Sequence, residues 1–266
     1  MKTILKGVTK EVVIDTDGPV VIIGECINPT RRKKLVSTLQ ALDFSYMLEL
    51  AKSQIAAMAE ILDVNVGYPG VNDEELLPQA VIALQESFDI PLCLDSPNPK
   101  AIEAALKVAK GKCLINSVNA EEASLQRLLP VAREYGAAII GLVLDDGGIT
   151  HDPEKRLRIA ERIVERAVKT GINKEDVIID PMAMAVSADP YACRVTLETI
   201  RLVHDKLGLN ITQGASNISF GLPNRENINN AFMAMSIMYG LTCPIANPEK
   251  ISGLVRAAVL FLGRDV

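Results

Sequence analysis

Several residue types that mark common classes of protein are scarce or absent here. Tryptophan is missing and aromatic residues make up 4% of the 266 positions, so a core must be filled by Val, Ile, Leu, Ala and Met. The five cysteines form no Cys-x-x-Cys pair, and neither histidine stands at a ligand spacing from them. The composition therefore predicts an aliphatic core and no metal site.

Long apolar runs and a positive net charge are also lacking. The longest uncharged apolar run, 137–144, is far shorter than the ~20 residues that a membrane span needs. Residues 1–6 lack the apolar region of a signal peptide. A net charge of −5 gives no overall attraction to nucleic acid or to anionic lipid. We therefore expect a cytoplasmic protein with no membrane and no nucleic-acid partner.

The sequence does contain a repeating alternation of apolar runs and helical patterns. Near-continuous apolar runs, typical of strands buried on both faces, occupy 20–25, 61–66, 91–96, 113–118, 137–144, 177–182, 210–213 and 241–246. Helical spacing covers 33–60, 73–88, 99–110, 120–135, 153–170, 190–207, 225–239 and 249–262. Eight such units without a linker predict one α/β domain over residues 1–266, a single (β/α)8 TIM barrel. Residues 1–18, broken by a turn signal at Asp15–Gly18, predict a short N-terminal β-hairpin that plugs one end of the barrel.

Polar residues stand at or just after the ends of most of these strands. They are Glu25, Asn28, Asp63, Asn65, Asp95, Asn116, Asp145, Asp146, Asp180 and Asn217. The carboxyl ends of barrel strands share one face, where the active sites of this fold lie, so the set predicts one pocket. For any single member, a helix cap or solvated loop position is an equal alternative. Asp63, Asp95, Asn116 and Asp180 are embedded in apolar strands, where an unpaired polar group costs about 1–3 kcal/mol.

The segment 213–226 combines polar residues with glycines. It follows the strand 210–213 and leads into the helix 225–239, so Ser216, Asn217 and Ser219 lie at a strand end. Gly214 and Gly221 permit sharp turns or a close approach to a ligand, and the Asn217 amide can both donate and accept hydrogen bonds. From these residues alone, a functional loop and a turn with capping residues are both open.

The predicted pocket is rich in acceptors and amides. It has no strand-end lysine or histidine, no nucleophile elbow and no Walker A loop. A carboxylate can accept two parallel hydrogen bonds from an amino group and an adjacent ring N–H, as on the 2-amino-4-oxo edge of a pterin. The residues therefore favour a neutral heterocycle with several N–H donors as the ligand.

Six motifs, in strand order, resemble those of the pterin-binding barrels. They are GECIN at 24–28, LDVNVG at 62–67, LDS at 94–96, INS at 115–117, IDP at 179–181, and GASNISF at 214–220 with Asn224-Arg225. From about Gly18 to Asn247 the sequence is similar to the methyltetrahydrofolate:corrinoid methyltransferases, a family that includes the folate domain of cobalamin-dependent methionine synthase. The resemblance implies a homodimeric enzyme that exchanges a methyl group between N5 of tetrahydrofolate and the cobalt of a corrinoid, which a separate corrinoid protein carries.

The resemblance also implies roles for single residues. Asp95, Asn116 and Asp180 hold the pterin ring of tetrahydrofolate or 5-methyltetrahydrofolate. Asn217 hydrogen-bonds near N5, and Arg225 orders that loop or site. Asn217 and Asp180 are the expected catalytic residues, with a proton arriving through water or the Asp-lined network. The remaining expected pterin-binding residues are Ser219, Asp63 and Asn65.

The first loop departs from the family pattern. Residues 28–34, NPTRRKK, are unusually basic, and their charges face an acidic surface of the corrinoid protein, the folate glutamate tail, or solvent alone. The direction of methyl transfer is open, because one site serves both directions. Dihydropteroate synthase is the main alternative, but its Ser-Thr-Arg-Pro loop after the second strand and its lysine near the seventh are missing here. A folate-binding or corrinoid-docking barrel without catalysis is the other alternative.

Overall fold

The chain folds into an α/β barrel preceded by a β-hairpin, as a computed structural model of residues 1–264 shows. The strands are β1 (Lys2–Lys6), β2 (Glu11–Asp15), β3 (Ile23–Ile27), β4 (Ile61–Val64), β5 (Leu92–Asp95), β6 (Leu114–Asn119), β7 (Ala138–Leu142), β8 (Val177–Asp180) and β9 (Ile245–Ala246). Within the described residues, β8-β7-β6-β5-β4-β3-β9 form one parallel sheet. The predicted barrel is confirmed, while positions 265 and 266 of the predicted domain lie outside the described residues.

The helices surround this sheet. They are α1 (Lys33–Gln40), α2 (Ser45–Ala56), α3 (Asp73–Ser87), α4 (Pro99–Val108), α5 (Glu122–Glu134), α6 (Pro153–Thr170), α7 (Ala192–Leu207), α8 (Arg225–Met238) and α9 (Pro248–Phe261). The single helix predicted over 33–60 is wrong. Leu42 adopts a left-handed conformation with φ 53°, and the Asp43 carboxylate accepts the Ser45 N–H at 2.9 Å, which ends one helix and starts another. Among residues 1–264 no helix combines the length and the apolarity that crossing a membrane requires.

The predicted seventh strand is present only as two isolated bridges. Ile211 pairs with Ile179 of β8, and Gly214 pairs with Ile245 of β9. This segment therefore closes the barrel between β8 and β9 without forming a regular strand. Threonine side chains take part of the ladder's hydrogen bonding: Thr242 Oγ1 accepts the Ile211 N–H at 2.9 Å, and Thr212 Oγ1 donates to the Cys243 carbonyl at 2.6 Å. Side-chain competition of this kind interrupts a strand pattern that apolar spacing alone predicts.

The N-terminal hairpin closes one end of the barrel, as predicted. Leu5 and Ile14 are fully buried and pack in one cluster with barrel-interior residues of β3 to β8. The hairpin turn lies at residues 7–10, where the Gly7 N–H donates to the Lys10 carbonyl at 2.8 Å. The turn predicted at 15–18 is present, with the Gly18 N–H donating to the Asp15 carbonyl at 3.2 Å, but it follows β2 and does not connect the two strands of the hairpin. The plug leaves the carboxyl ends of the strands as the open end.

Candidate active site

Four predicted polar residues lie at the carboxyl ends of barrel strands. Asp63 belongs to β4, Asp95 ends β5, Asn116 lies in β6 and Asp180 ends β8. The strand register places Asp95 beside Asn116 on adjoining strands. Because these strands are parallel, all four side chains reach the same end of the barrel.

These side chains line one cavity at that end, termed the central cavity below. Its volume is about 470 Å³, within the usual range for small-molecule sites. Predicted residues on its wall are Asp63, Asp95, Asn116, Asp180 and Asn217, and the rest of the wall includes Glu25, Asn28, Thr30, Arg32, Ser117 and Ser216. The structure therefore brings five of the eight predicted binding residues around one space.

Hydrogen bonds within the cluster orient its polar groups. Asn116 Nδ2 donates to Asp63 Oδ1 at 3.1 Å, and Asn65 Nδ2 donates to Asp95 Oδ2 at 2.9 Å. The backbone N–H of Met182 donates to Asp180 Oδ1 at 2.7 Å. A carboxylate has two oxygens with several acceptor positions, so Asp95 and Asp180 retain capacity for a ligand's donors.

Burial raises the pKa of three of the carboxyl groups. Asp63 is 3% exposed, and burial together with the Asp95 charge raises its pKa to about 8. Burial also raises the pKa of Asp95, against a side-chain hydrogen bond that lowers it. For Asp180, burial raises the pKa to about 6, while the Met182 N–H and the Arg156 charge oppose the shift. Burial therefore favours the neutral form of these carboxyl groups, most strongly that of Asp63, where the Asp95 charge adds to the effect.

The loop 214–221, termed the Asn217 loop, carries Asn217 to the rim of the cavity. Ala215–Asn217 form one 3-10 turn, in which the Asn217 N–H donates to the Gly214 carbonyl at 3.2 Å. The Asn217 side chain is exposed and borders the central cavity. An exposed amide above buried carboxylates can contact a ligand in the cavity and still be approached from solvent.

Arg225, the first residue of α8, fastens the Asn217 loop. Its Nε donates to Ser219 Oγ at 3.0 Å, and its Nη2 donates to the Ser216 carbonyl at 2.7 Å. Ser219 itself is fully buried. Among the described residues that line the central cavity, Asn65, Ser219 and Arg225 are not included. The structure gives these three predicted binding residues supporting positions, and direct contact with a ligand stays a prediction for them.

A family of known proteins matches most of this chain. The family described as "Pterin binding enzyme" matches residues 24–247, which include every predicted site residue. The chain belongs to the pterin-binding enzymes. The match covers the same stretch over which the sequence motifs resemble these barrels, so that resemblance is confirmed.

Two curated relatives of this pterin-binding enzyme carry methyl-transfer names. It is 30% identical to the methylcorrinoid:tetrahydrofolate methyltransferase of Eubacterium limosum, over 92% of each chain. It is also 29% identical over 248 residues to methionine synthase of Mycobacterium tuberculosis, of which it covers 21%. The predicted membership of the methyltetrahydrofolate:corrinoid methyltransferase family, and with it the prediction of an enzyme of that type, is confirmed.

Solved structures share the fold of this pterin-binding enzyme. Yersinia pestis DHPS with a pterine-sulfa conjugate has a TM-score of 0.74 at 19% identity, covering 95% of this chain and 96% of that one. The 7,8-dihydropteroate synthase of Vibrio fischeri has a TM-score of 0.73 at 19% identity, covering 99% of each chain. At this level of identity the likeness establishes the barrel and leaves function to the site.

Sequence reasoning placed Glu25 in the predicted pocket as a strand-end residue but assigned it no role there. Glu25 lines the central cavity and accepts a hydrogen bond from Ser216 Oγ at 3.0 Å. Burial raises the pKa of Glu25, while this hydrogen bond and the charges of Arg32 and Arg225 lower it. Its strand-end position was the available signal. The contact with Ser216, far along the chain, could not be seen from residue spacing.

Proposed function

We propose that this enzyme moves a methyl group between N5 of tetrahydrofolate and the cobalt of a corrinoid carried by a partner protein. The main support is the central cavity, where buried carboxylates and an amide lie below the exposed Asn217. The name of the Eubacterium limosum relative, matched over 92% of this chain, supports the same reaction class. The cytoplasmic location, the homodimer and the single domain over 1–266 stay predictions.

The pterin ring fits the polar wall of the cavity. Asp95 and Asp180 supply carboxylate oxygens for the amino group and ring N–H donors of the pterin, and Asn116 supplies an amide that donates and accepts. Asp63 holds Asn116 in place through its 3.1 Å hydrogen bond. Burial and the Asp95 charge both favour the neutral form of Asp63, which reduces the repulsion next to Asp95 and leaves Asp95 as the charged acceptor for a neutral ligand.

In this proposal Asn217 is the group that acts on N5. The corrinoid supplies the cobalt centre that gives up or accepts the methyl group, and because it arrives with a partner, this chain needs an open rim rather than an enclosed corrinoid pocket. The exposed Asn217 amide meets that requirement. A hydrogen bond from Asn217 that strengthens as charge develops on N5 stabilises the transition state more than the ground state. Arg225 keeps the loop in position for this contact.

A proton must also move, since tetrahydrofolate carries a hydrogen on N5 that its methylated form lacks. Asp180, with a pKa of about 6, can exchange a proton with cavity water near neutral pH. Asp180 and Asn217 are therefore the proposed catalytic residues. The same groups serve both directions of transfer, by microscopic reversibility.

Folate binding is the first test of this function. Asp95→Ala removes a charge-assisted acceptor and should weaken binding of 5-methyltetrahydrofolate by about 1–3 kcal/mol in titration calorimetry. Asp180→Ala should do the same. Arg127→Ala, an exposed cation outside the central cavity, is the control and should leave affinity unchanged. Unchanged affinity in both aspartate variants would remove the pterin assignment.

Turnover separates the remaining alternatives. A methyltransferase would transfer the methyl group from 5-methyltetrahydrofolate to cob(I)alamin. The cobalamin absorbance monitors this transfer in a single turnover. Folate binding without transfer to free cobalamin or to a corrinoid protein would instead identify the non-catalytic barrel. The dihydropteroate synthase alternative is supported by the fold alone. Where that enzyme carries a lysine, this chain has Thr212 and Gln213, which are fully buried.

A further inference from the structure

A basic groove lies beside the central cavity. Arg31, Arg32 and Lys33 line it together with Ser37 and Gln40 of α1, and its volume is about 270 Å³. Among the residues that the structure describes, no carboxylate belongs to this lining. Arg32 also lines the central cavity, so the groove and the cavity adjoin at this side chain.

Among residues 1–264, two of the groove's cations have no carboxylate within 4.0 Å. They are Arg31 and Lys33, and both are exposed. The neighbouring Lys34 differs, since its Nζ lies 3.8 Å from Glu49. The Arg32 charge instead acts on Glu25 of the central cavity, whose pKa it lowers. The excess positive charge of the groove therefore comes from Arg31 and Lys33.

Arg31 contacts the Asn217 loop, which borders the central cavity. Its guanidinium carbon lies 5.1 Å from the centre of the Phe220 ring, a cation–π distance, and Phe220 follows Asn217 by three residues. Arg31 also has a left-handed backbone with φ 61°. A guanidinium that is already positioned loses less conformational freedom when it binds a carboxylate.

The start of α1 adds further donors for an anion. Arg32 caps this helix without any side-chain hydrogen bond, and its first turn contains no acidic residue. The first N–H groups of a helix lack internal partners and carry partial positive charge. These donors lie at the same residues as the groove's cations.

We propose that this groove binds the carboxylates of the folate glutamate tail and favours folates with polyglutamate tails. The proposal rests on the proposed folate-dependent function. A pterin held by the central cavity carries its tail outward, and Arg32 connects the cavity with the groove. Tethering to the bound pterin gives each carboxylate a high effective concentration at Arg31 and Lys33.

A second cavity beside Asp95 and Asn116 is a less suitable exit for the tail. Its lining contains one cation, Arg127, and two carboxylates, those of Asp95 and Glu121. Mixed charge of this kind attracts a polyanion less strongly than a groove whose lining has cations without carboxylates. Arg127 therefore serves as the matched control for a general effect of surface charge.

The test compares 5-methyltetrahydrofolate monoglutamate with its triglutamate in titration calorimetry. The parent enzyme should bind the triglutamate about 10-fold more tightly, as two added exposed charge pairs would give. Raising NaCl from about 0.05 to 0.5 M should remove most of that gain by screening. Arg31→Asn combined with Lys33→Gln should abolish the gain, while Arg127→Gln should retain it. Asparagine is chosen because it tolerates the left-handed backbone at residue 31.

The outcomes separate this inference from the proposed function. If the parent enzyme does not bind the monoglutamate, the folate function itself fails. If it binds both folates equally, or if the folded double variant keeps the full gain, the tail assignment is wrong. A double variant that keeps the gain but loses methyl transfer with a corrinoid protein would show that the groove docks that protein, which also overturns the proposal. Lys33→Gln alone should give an intermediate gain and guards against misfolding of the double variant.

Discussion

Asp180→Asn should make the enzyme more stable at neutral pH while weakening its function. The substitution keeps an oxygen that can accept the Met182 N–H, now 2.7 Å from Oδ1, and removes the ionisable group. Because the pKa of Asp180 rises from 3.8 to about 6 on folding, folding disfavours its ionised form. Below pH 3.8 both states are protonated and no stability is lost. As pH rises towards 6 the unfolded chain ionises first, so stability falls, and above pH 6 the loss is complete.

The size of this loss follows from the shift. A change of about two pKa units corresponds to about 3 kcal/mol at full burial. Asp180 is partly open to the central cavity, where water reduces the penalty, so we expect about 1–2 kcal/mol. The side-chain amide that Asp180→Asn introduces can donate into the same cavity water, which limits any cost of the new N–H groups.

Urea unfolding between pH 4 and pH 8 measures the effect. The variant minus parent difference should grow from near zero at pH 4 to about 1–2 kcal/mol at pH 7 and then stay level. Other groups, including Asp63, titrate in both proteins and cancel in the difference. Affinity for 5-methyltetrahydrofolate should meanwhile fall about 10-fold or more, because a charge-assisted acceptor is lost. A difference that does not change with pH, or a variant less stable than the parent at pH 7, would refute the reasoning.

Three further expectations concern the same site. Asn217→Ala should slow single-turnover methyl transfer at saturating folate by about 10²–10³-fold, with a much smaller change in folate affinity; a variant that melts early yet transfers at the parent rate would return the loop to a structural role. Glu25→Gln keeps an acceptor for Ser216 but removes a group whose pKa is raised by burial, so stability should fall less between low and neutral pH than in the parent; identical pH profiles in urea unfolding would contradict this. Dialysis against a chelator should leave methyl transfer to cobalamin unchanged, and loss of that activity would disprove a metal-free mechanism.

The strand-end carboxylates were predictable because a simple rule links sequence to position. Asp63, Asp95 and Asp180 interrupt apolar runs, and parallel strands bring their carboxyl ends to one face. The rule says nothing about side-chain partners across the barrel, so the pairing of Glu25 with Ser216 was missed. It also could not tell Ser219, which is buried under Arg225, from the exposed Asn217 two positions earlier.

Backbone irregularities were the other limit. The left-handed residue Leu42 splits a helix whose apolar spacing continues on both sides. At 210–213 the β-branched residues correctly indicated extended chain, but a pattern of residue types does not reveal that Thr212 and Thr242 divert the hydrogen bonds. Local propensity is a weak guide wherever one side-chain hydroxyl can replace a backbone partner.

The irregular strand at 210–214 makes the free energy of local opening differ around the barrel wall. Regular ladders run from β3 through β8, with register shifts in β3 and β6, whereas this stretch pairs through isolated bridges at Ile211 and Gly214 and through backbone hydrogen bonds to β8 and to residues 242–245. Segments with few ladder bonds open at lower free energy than the strands around them. The Thr212 N–H donates to the Ile179 carbonyl at 2.9 Å, whereas among the described residues the Gln213 and Gly214 N–H groups donate to no backbone carbonyl, so these two amides should exchange with deuterium before those of β5 and β6. Since the Asn217 loop begins at Gly214, the amide proposed to act on N5 follows this irregularly paired stretch, so a shift of the loop need not disturb the strand ends that carry the carboxylates.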